Sequence, residues 1–537
     1  MKNTFLFLIL IAVVQCTQGQ TLSTDFKVDV SDPYKVIDAG SKEYLGLDDG
    51  NALIVKMGRG IVNIQKFNTQ SMTEISRNTY KDLPNGSVFQ NLIKTKDKIY
   101  YFYYVYNKSD KNFQLYAREI DPVNATFLDQ KLILTSSRKV VTPVKLSNIK
   151  LPSIRNHKFS FYNSYDQTKI MISYRLYPIN KKDKENYDEI GIYVFDQDLN
   201  KIVAQETKMP YTEANMSNLS YTVSNNGIAI MLVANKINKS YEMFTIDSEG
   251  KLHIKDLGLN SDQLIMNISM KENSKGNFVC GGYYANGLEF DFFTLSSSGL
   301  IFNANVLFYM EIDAQGNIIH QGLFEFPKEL IMQFLSEKQR KNVEKREAKG
   351  KAGILNLELL KQITKSDGST LFLGEEQYVV QEYIYTPNGS KQKTEYHFAN
   401  IVLIKISANG ELKWMKKLPK NQMGTKGLGQ LSIAYMEGKK ADYIAFVDNP
   451  KNINLKPNEG VPSPHIDGRG GFLTTYKVNM NNGEVEKHTI CELEDIKGIR
   501  AYQVKTNRIF RVRQNTFLME VYIKKKQDAM IKFELVN

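Results

Sequence analysis

The chain repeats one short pattern of apolar and polar positions. In each copy an apolar stretch enters a tight turn of acidic or polar residues, often with a glycine, and a second stretch follows. The clearest copy covers residues 307–319 and is typical of a β-hairpin. The strand that enters the turn can be followed along the chain in eight copies, at residues 61–67, 113–121, 190–196, 241–247, 306–313, 401–407, 472–480 and 530–536.

A second pattern fills the intervals between these copies. It consists of a polar or glycine turn followed by a strongly apolar strand, as at residues 226–232, 275–280 and 367–373, and residues 100–106 occupy the same place. Each interval therefore has room for four strands, and four-stranded units repeated around an axis form a β-propeller. The sequence predicts an all-β propeller of eight antiparallel four-stranded blades. Seven blades is the alternative, because the first and last copies match the pattern least well.

The two ends of the chain and one insertion complete the predicted fold. Residues 25–30 alternate like a strand, and no strand follows the last copy, because the chain stops at Asn537. We expect the N-terminal strand to complete the last blade, which removes an exposed sheet edge. The exception to the β pattern is a helical insertion at about 327–353, where Ser336 and Gln339 have the spacing of a capping box.

The N-terminal residues predict an export signal. Lys2 precedes an apolar run at 5–14 and a stretch of small and polar residues up to 20, so residues 1–19 are predicted to be a signal peptide. Residues 20–537 then form a single propeller domain. The alternative is a lipoprotein anchored at Cys16, although Gln15 is a poor residue before a lipidated cysteine. No other stretch approaches a membrane-spanning length, so we expect the protein in the periplasm, at the outer surface or outside the cell.

Charge and motifs exclude several function classes. The net charge of +12 is spread along the chain, which is typical of a solvated surface, and the functional alternative is attraction to an anionic surface such as cell-wall polymer. Nucleic acid is not expected as a partner of an exported protein. The sequence lacks the zinc, nucleophile-elbow, phosphate-loop and Cys-x-x-Cys motifs, so no catalytic residue, metal or cofactor is predicted. Cys280 and Cys491 fall in distant blades and are predicted to be unpaired.

Strand alternation predicts which face of the propeller is used. Turns from the first to the second strand and from the third to the fourth share one face and are tight. The other connections share the opposite face and include the long segments 283–303, 327–351, 382–399 and 448–469, all from blades five to seven. Long loops in a compact domain are usually functional or disordered. We therefore expect a ligand-binding surface over this sector.

Eight residues are the predicted ligand-binding set. The last of these loops combines carboxylates, a histidine, an arginine and prolines, and two tyrosines after a Gly-Gly pair could stack on a sugar ring. The alternative is an ordered surface loop without a ligand, with the tyrosines packed between blades. The set is Tyr283, Tyr284, Asp448, Asn449, Lys451, His465, Asp467 and Arg469.

The turn at residues 406–414 resembles the repeat of quinoprotein-type and related bacterial propellers. The regular tryptophan docking of quinoproteins is absent, because the chain has a single tryptophan. Over its whole length, including residues 344–351 and 447–452, the chain resembles uncharacterised secreted propeller-like proteins of Bacteroidota-type bacteria. This resemblance implies a propeller fold and export, and it implies no particular chemistry.

Two functional hypotheses follow from these observations. The leading one is a non-enzymatic exported propeller that recognises a protein or a cell-surface glycan through the long-loop face of blades five to seven. The alternative is a polysaccharide hydrolase or lyase with acid and base residues in the axial channel. Buried carboxyl groups with shifted pKa values, clustered in the channel with Tyr, His or Arg, would favour the enzyme.

Overall fold

A computed structural model describes residues 22–536, apart from 142–156, 181, 261–263, 286–287, 291–299, 387–388 and 426–428. The predicted signal peptide and Cys16 lie outside the described residues. The described residues form eight four-stranded antiparallel sheets, the blades of a β-propeller. The predicted fold, with eight blades and not seven, is confirmed.

Each blade begins with an inner strand and continues outward through a second, a third and an outer strand. Blade one comprises Ser41–Gly46, Ala52–Gly58, Ile61–Asn68 and Thr73–Tyr80. Blade two comprises Val88–Lys94, Ile99–Asn107, Asn112–Asp121 and Thr126–Thr135. Blade three comprises Ser160–Asn163, Lys169–Arg175, Tyr187–Asp196 and Lys201–Thr212. Blade four comprises Met216–Val223, Ala229–Asn235, Ser240–Ile246 and Leu252–Asn260.

The second half of the ring has the same order and larger insertions. Blade five comprises Leu264–Glu272, Phe278–Ala285, Val306–Ile312 and Ile318–Glu325. Blade six comprises Leu357–Thr364, Thr370–Thr386, Gly389–Ile406 and Leu412–Leu418. Blade seven comprises Ala434–Glu437, Asp442–Asp448, Phe472–Val478 and Val485–Glu492. Blade eight comprises Phe510–Arg513, Thr516–Lys524, Gln527–Leu535 and, as its outer strand, Phe26–Val30.

The hydrophobic pattern follows from the place of each strand in its blade. All eight copies of the predicted repeat are third strands, which neighbouring blades cover on both faces, so that Val306–Ile312 is buried at every position. Outer strands face solvent on one side and alternate, as in Thr73–Tyr80. One apolar cluster fills each seam between neighbouring blades. The core is therefore a ring of eight thin layers.

The N-terminal strand closes the ring as predicted. Phe26–Val30 pairs antiparallel with Gln527–Leu535, from Phe26 opposite Leu535 to Val30 opposite Ile531. The Phe26 ring also contacts the Tyr443 ring of blade seven edge to face, with 5.1 Å between centroids. Blade eight is thus assembled from both ends of the chain and has no unpaired third strand.

The helical insertion lies between blades five and six. Helix α1 spans Lys328–Met332 and helix α2 spans Glu337–Glu347. Ser336 caps α2 through the predicted capping box with Gln339. Ile331 and Val343 are buried against the seam of blades five and six. In the described part of the chain, neither helix is long and apolar enough to cross a membrane.

Short strands shape the face that carries the second-to-third and outer-to-inner connections, which we call the loop face. Gln422–Gly424 and His465–Ile466 add two strands to the edge of blade six, and Leu288–Phe290, Leu300–Ala304 and Ile354–Leu355 form a three-stranded sheet beside blade five. The predicted loop at 382–399 is mostly a hairpin that prolongs Thr370–Thr386 and Gly389–Ile406. Another long connection, 493–509, joins blades seven and eight. The long connections therefore extend beyond the predicted sector.

Candidate functional site

The segment 449–471, here called the blade-seven loop, connects the second and third strands of blade seven. It starts with a 3-10 turn, Pro450–Asn452, which Asn449 caps by accepting a hydrogen bond from the Lys451 amide at 2.9 Å. The Asn449 side-chain amide donates to the Pro464 carbonyl at 2.7 Å. Asn449 therefore ties the two arms of the loop together.

Asp448 and Asn452 form a buried polar centre beneath the loop. The Asn452 amide donates to Asp448 Oδ1 at 2.7 Å, and Asn452 Oδ1 accepts from the Ser463 amide at 2.7 Å. Lys487 Nζ lies 2.9 Å from Asp448 Oδ2 and also donates to the Asn452 carbonyl at 2.7 Å. The buried charges are therefore paired and hydrogen-bonded, and they tie the loop to the second and fourth strands of blade seven.

His465 fixes the far arm of the loop against the connection from blade six to blade seven. Its Nε2 lies 2.9 Å from Oε1 of Gln430, and its backbone pairs with Gln422. Burial lowers the pKa of His465 to about 4, so the imidazole is neutral at physiological pH. The ring is covered and contributes to the loop's structure.

The outer surface of the blade-seven loop is mixed apolar and charged. Val461 and Ile466 are 54% and 37% exposed. Lys451 and Arg469 are exposed, and Asp467 is half-buried with Oδ1 accepting from the Gln430 amide at 2.8 Å. Of the predicted loop residues, Lys451, Asp467 and Arg469 are therefore accessible to a partner, whereas Asp448 and His465 are buried.

The two predicted tyrosines lie in the core. Tyr283 is fully buried between blades five and six, with its ring 6.1 Å from that of Phe326. Its hydroxyl has no hydrogen-bond partner in the described part of the chain. Tyr284 is buried in the seam between blades four and five. Neither ring presents a face on which a sugar could stack.

A second polar cluster on the loop face was not predicted from the sequence. Arg175 ends the second strand of blade three, Asp188 lies in the third strand, and Glu213 lies in the connection to blade four. Arg175 Nε donates to Asp188 Oδ1 at 2.8 Å, and its Nη2 is 3.3 Å from Glu213 Oε1. Asn186 donates to the same Glu213 oxygen at 2.6 Å, and Asn218 donates to Asp188 at 3.1 Å.

This cluster has the composition of an acid/base site. Burial raises the pKa of Glu213, the negative charge of Asp188 raises it further, and Arg175 partly opposes both effects. The rings of Tyr162 and Tyr221 stack beside it on the inner strands of blades three and four, 5.8 Å apart. No local motif marks these residues, because strand pairing and blade packing bring them together from distant positions.

A cleft of about 230 Å³ lies under the helical insertion. Phe326, Ile331 and Val343 form its apolar floor, and the ion pair between Lys328 and Glu347, 2.7 Å long, stands at its rim. In the described part of the chain, no group of three or more His, Cys, Asp or Glu side chains could hold a metal ion. Cys280 and Cys491 are buried and free, as predicted.

The described residues thus form an eight-bladed β-propeller, and internal hydrogen bonds hold its blade-seven loop. No family model and no curated protein matches it. Among solved structures it is similar to an oligogalacturonate lyase in complex with manganese, at 10% identity and a TM-score of 0.36 over 95% of this chain and 97% of that one. It is also similar to the polysaccharide lyase Uly1, at 9% identity and a TM-score of 0.34 over 83% and 90% of the two chains.

A third similar structure is the β-propeller domain of the Trilobed protease from Pyrococcus furiosus. The identity is 9% and the TM-score 0.34, over 87% of this chain and 97% of that one. At such identities these similarities concern the propeller fold alone.

Proposed function

We propose that the protein is an exported binding or scaffold protein that recognises a protein partner through the blade-seven loop. The observation that carries the proposal is the pair of exposed apolar side chains, Val461 and Ile466, on a loop whose own polar groups are bonded internally. A preorganised loop loses little conformational entropy on binding, so more of the contact energy appears as affinity.

The chemistry of this surface favours a protein over a glycan. Protein interfaces combine an apolar centre with arginine, and here Arg469 and Lys451 are exposed on the same loop as Val461 and Ile466. Sugar rings commonly stack on exposed aromatic side chains, and the two tyrosines predicted for this role, Tyr283 and Tyr284, are buried. The exposed basic residues Lys451 and Arg469 favour a partner with acidic groups.

The test is to select peptides from a phage-displayed library on the wild-type protein and to measure their affinities by calorimetry. We expect acidic peptides whose affinity falls at least tenfold, about 1.4 kcal/mol, in Val461→Ser and in Arg469→Gln. Val123→Ser is the matched control, because Val123 is 72% exposed on the opposite face. Equal affinities in all variants, or no selected peptide, would exclude this surface.

A glycan array with the same variants covers the glycan hypothesis. Array binding that is lost in Arg469→Gln and kept in Val461→Ser would indicate a glycan partner in place of a protein. The export part of the proposal is tested by sequencing the N-terminus of the secreted protein, which we expect to begin at Gln20.

A second candidate function is acid/base chemistry on a polysaccharide at the Arg175, Asp188 and Glu213 cluster. The raised pKa of Glu213 beside a second carboxyl group and an arginine favours it. The assay measures new reducing ends and unsaturated products from a panel of polysaccharides. Glu213→Gln should abolish any activity that the wild type shows, and activity that persists in this variant would exclude the cluster.

A further inference from the structure

Two lysines project from the inner strands that surround the propeller axis. Lys271 lies on the inner strand of blade five and Lys361 on the inner strand of blade six. Both side chains are exposed, although inner strands are the most enclosed part of a propeller. Their exposure places them in the solvent-filled space along the axis.

Each lysine reaches around the axis towards the following blade. Lys271 Nζ donates to the carbonyl of Gln362, the residue next to Lys361, at 3.2 Å. Lys361 Nζ lies 5.9 Å from the centroid of the Tyr435 ring, on the inner strand of blade seven. The two ammonium groups therefore occupy neighbouring positions in the sector of blades five to seven.

In the described part of the chain, neither ammonium group has a counter-charge, since no carboxylate lies within ion-pair distance of Lys271 or Lys361. By contrast, Lys365, at the end of the same inner strand, lies 2.9 Å from Glu437 and 2.6 Å from Asp442. Positive charges partly removed from water and left without a counterion attract anions strongly.

The pKa of each lysine is lowered although solvent reaches both side chains, because the surrounding inner strands displace part of their hydration. Burial lowers the pKa of Lys361, and both burial and the charge of Lys361 lower the pKa of Lys271. An anion between the two ammonium groups would oppose both effects, because it would supply a counter-charge that the described residues do not provide there.

The surrounding groups are held in place. The Tyr435 hydroxyl donates to Asp442 Oδ2 at 2.6 Å and accepts from Lys365 Nζ at 2.6 Å. These two hydrogen bonds hold the Tyr435 ring in position beside Lys361. Gln362 is buried, and its amide donates to the Val279 carbonyl of blade five at 2.8 Å. The two lysines thus extend from a backbone that is locked on both sides.

We propose that Lys271 and Lys361 form a binding site for an oxyanion in the axial channel. The ligand group is a carboxylate, sulfate or phosphate, which accepts charge-assisted hydrogen bonds from both ammonium groups. It comes either from a free inorganic ion or from the charged group of an acidic oligosaccharide. The site is separate from the blade-seven loop and does not depend on the function proposed for that loop.

The test is calorimetric titration of the full mature protein with inorganic sulfate, inorganic phosphate and a trimer of a uronic acid. Lys271→Gln and Lys361→Gln should each weaken binding about tenfold, since a hydrogen bond to a charged group contributes about 1.5–3 kcal/mol. Lys440→Gln is the matched control, because Lys440 is an exposed lysine in the turn between the first and second strands of blade seven. Melting curves verify that the variants remain folded.

The outcomes separate the sources of the anion. Tighter binding of the trimer than of sulfate identifies an acidic oligosaccharide, and equal binding identifies a free ion. No binding of any oxyanion, or unchanged affinity in both lysine variants, overturns the proposal. Val461→Ser should leave oxyanion binding unchanged and Lys271→Gln should leave peptide binding unchanged, so the two proposals fail independently.

Discussion

The seam between blades eight and one contains a buried charge network whose removal should be costly. Glu520 of blade eight is fully buried between Lys56 and Lys42 of blade one. Lys42 Nζ lies 2.7 Å from Glu520, and the hydroxyls of Tyr34 and Tyr44 donate to the same carboxylate at 2.8 and 2.9 Å. This seam is the one that closes the ring.

The shifted pKa gives the magnitude of the effect. Burial alone would raise the pKa of Glu520, but the charges of Lys56 and Lys42 outweigh it and lower the pKa to about 2. Relative to an unfolded value near 4.3, the shift contributes about 3 kcal/mol to stability at neutral pH. This contribution is present above the unfolded pKa and is lost as the pH falls towards 2. The pKa of Asp528 is raised by burial and by Glu520, so its contribution has the opposite sign.

We predict that Glu520→Gln lowers the free energy of unfolding by about 3–5 kcal/mol at pH 7, because it leaves a buried lysine short of a counter-charge. The measurement is urea denaturation followed by circular dichroism. The control is Glu337→Gln on helix α2, where the glutamate is 83% exposed and pairs with Lys341. An exposed pair of this kind contributes about 1 kcal/mol or less.

Two further measurements test the electrostatic origin of the effect. The double variant Lys56→Met/Glu520→Gln leaves Lys42 and Asp528 as a pair of opposite charges, 3.2 Å apart. It should therefore lower the free energy of unfolding by less than Glu520→Gln alone. The difference in unfolding free energy between the wild type and Glu520→Gln should become smaller as the pH falls from 5 towards 2. A cost no larger than that of Glu337→Gln, or a difference independent of pH, would refute the reasoning.

Three other predictions concern packing and titration. Phe26→Ala should lower the free energy of unfolding by about 3–5 kcal/mol in urea, because it empties the space beside Tyr443. Gly281→Ala should cost about 1–3 kcal/mol in the same assay, because the added Cβ would overlap the Phe372 ring of blade six. Between pH 6.5 and 4, the unfolding free energy of the wild type should decrease more than that of His465→Gln. In this range His465 is protonated in the unfolded chain, whereas in the folded protein its pKa is about 4.

The fold was largely predictable because its signals are local. A propeller repeats one hairpin, so every third strand carries the same alternation of apolar run and polar turn, from Ile61–Asn68 to Gln527–Leu535. The outer strand of the last blade was predictable because residues 25–30 alternate between apolar and polar positions. Such a strand can pair with the exposed edge of the last copy of the repeat, residues 530–536. The extended hairpin formed by Thr370–Thr386 and Gly389–Ile406 was not predicted, and its tip was expected to be a loop. Strands that extend beyond their blade have no counterpart in the other repeats.

The loop that forms the candidate surface was predictable from length and composition, but the role of each residue was not. Asp448 and His465 were selected as polar groups in a long loop, and the structure uses both to order that loop from inside. Tyr283 and Tyr284 were selected as possible sugar-stacking rings, but they belong to the apolar strand Phe278–Ala285 and are buried in the core. Residue type alone does not distinguish a side chain that contacts a ligand from one that forms hydrogen bonds within the protein.

The lysine pair in the channel and the cluster around Glu213 could not be predicted from the sequence, because only the folded propeller brings their residues together. Lys271 and Lys361 stand 90 positions apart in the chain and become neighbours only because adjacent blades bring their inner strands together. Arg175 reaches Asp188 and Glu213 through strand pairing within blade three. No spacing rule in a single sequence detects such contacts.

The charge network at the closing seam has a further consequence, because the blades of a propeller resemble one another. An apolar blade face can pack against any similar face, including one from a second chain, whereas Lys42 and Lys56 match only a seam that offers Glu520 and Asp528. We infer that the network selects blade eight of the same chain as the partner of blade one. Replacing all four residues with apolar ones of similar size should keep or raise the melting temperature and should produce dimers with exchanged N-terminal strands on refolding at high concentration. Light scattering measures this directly, and a strictly monomeric refolded variant would contradict the inference.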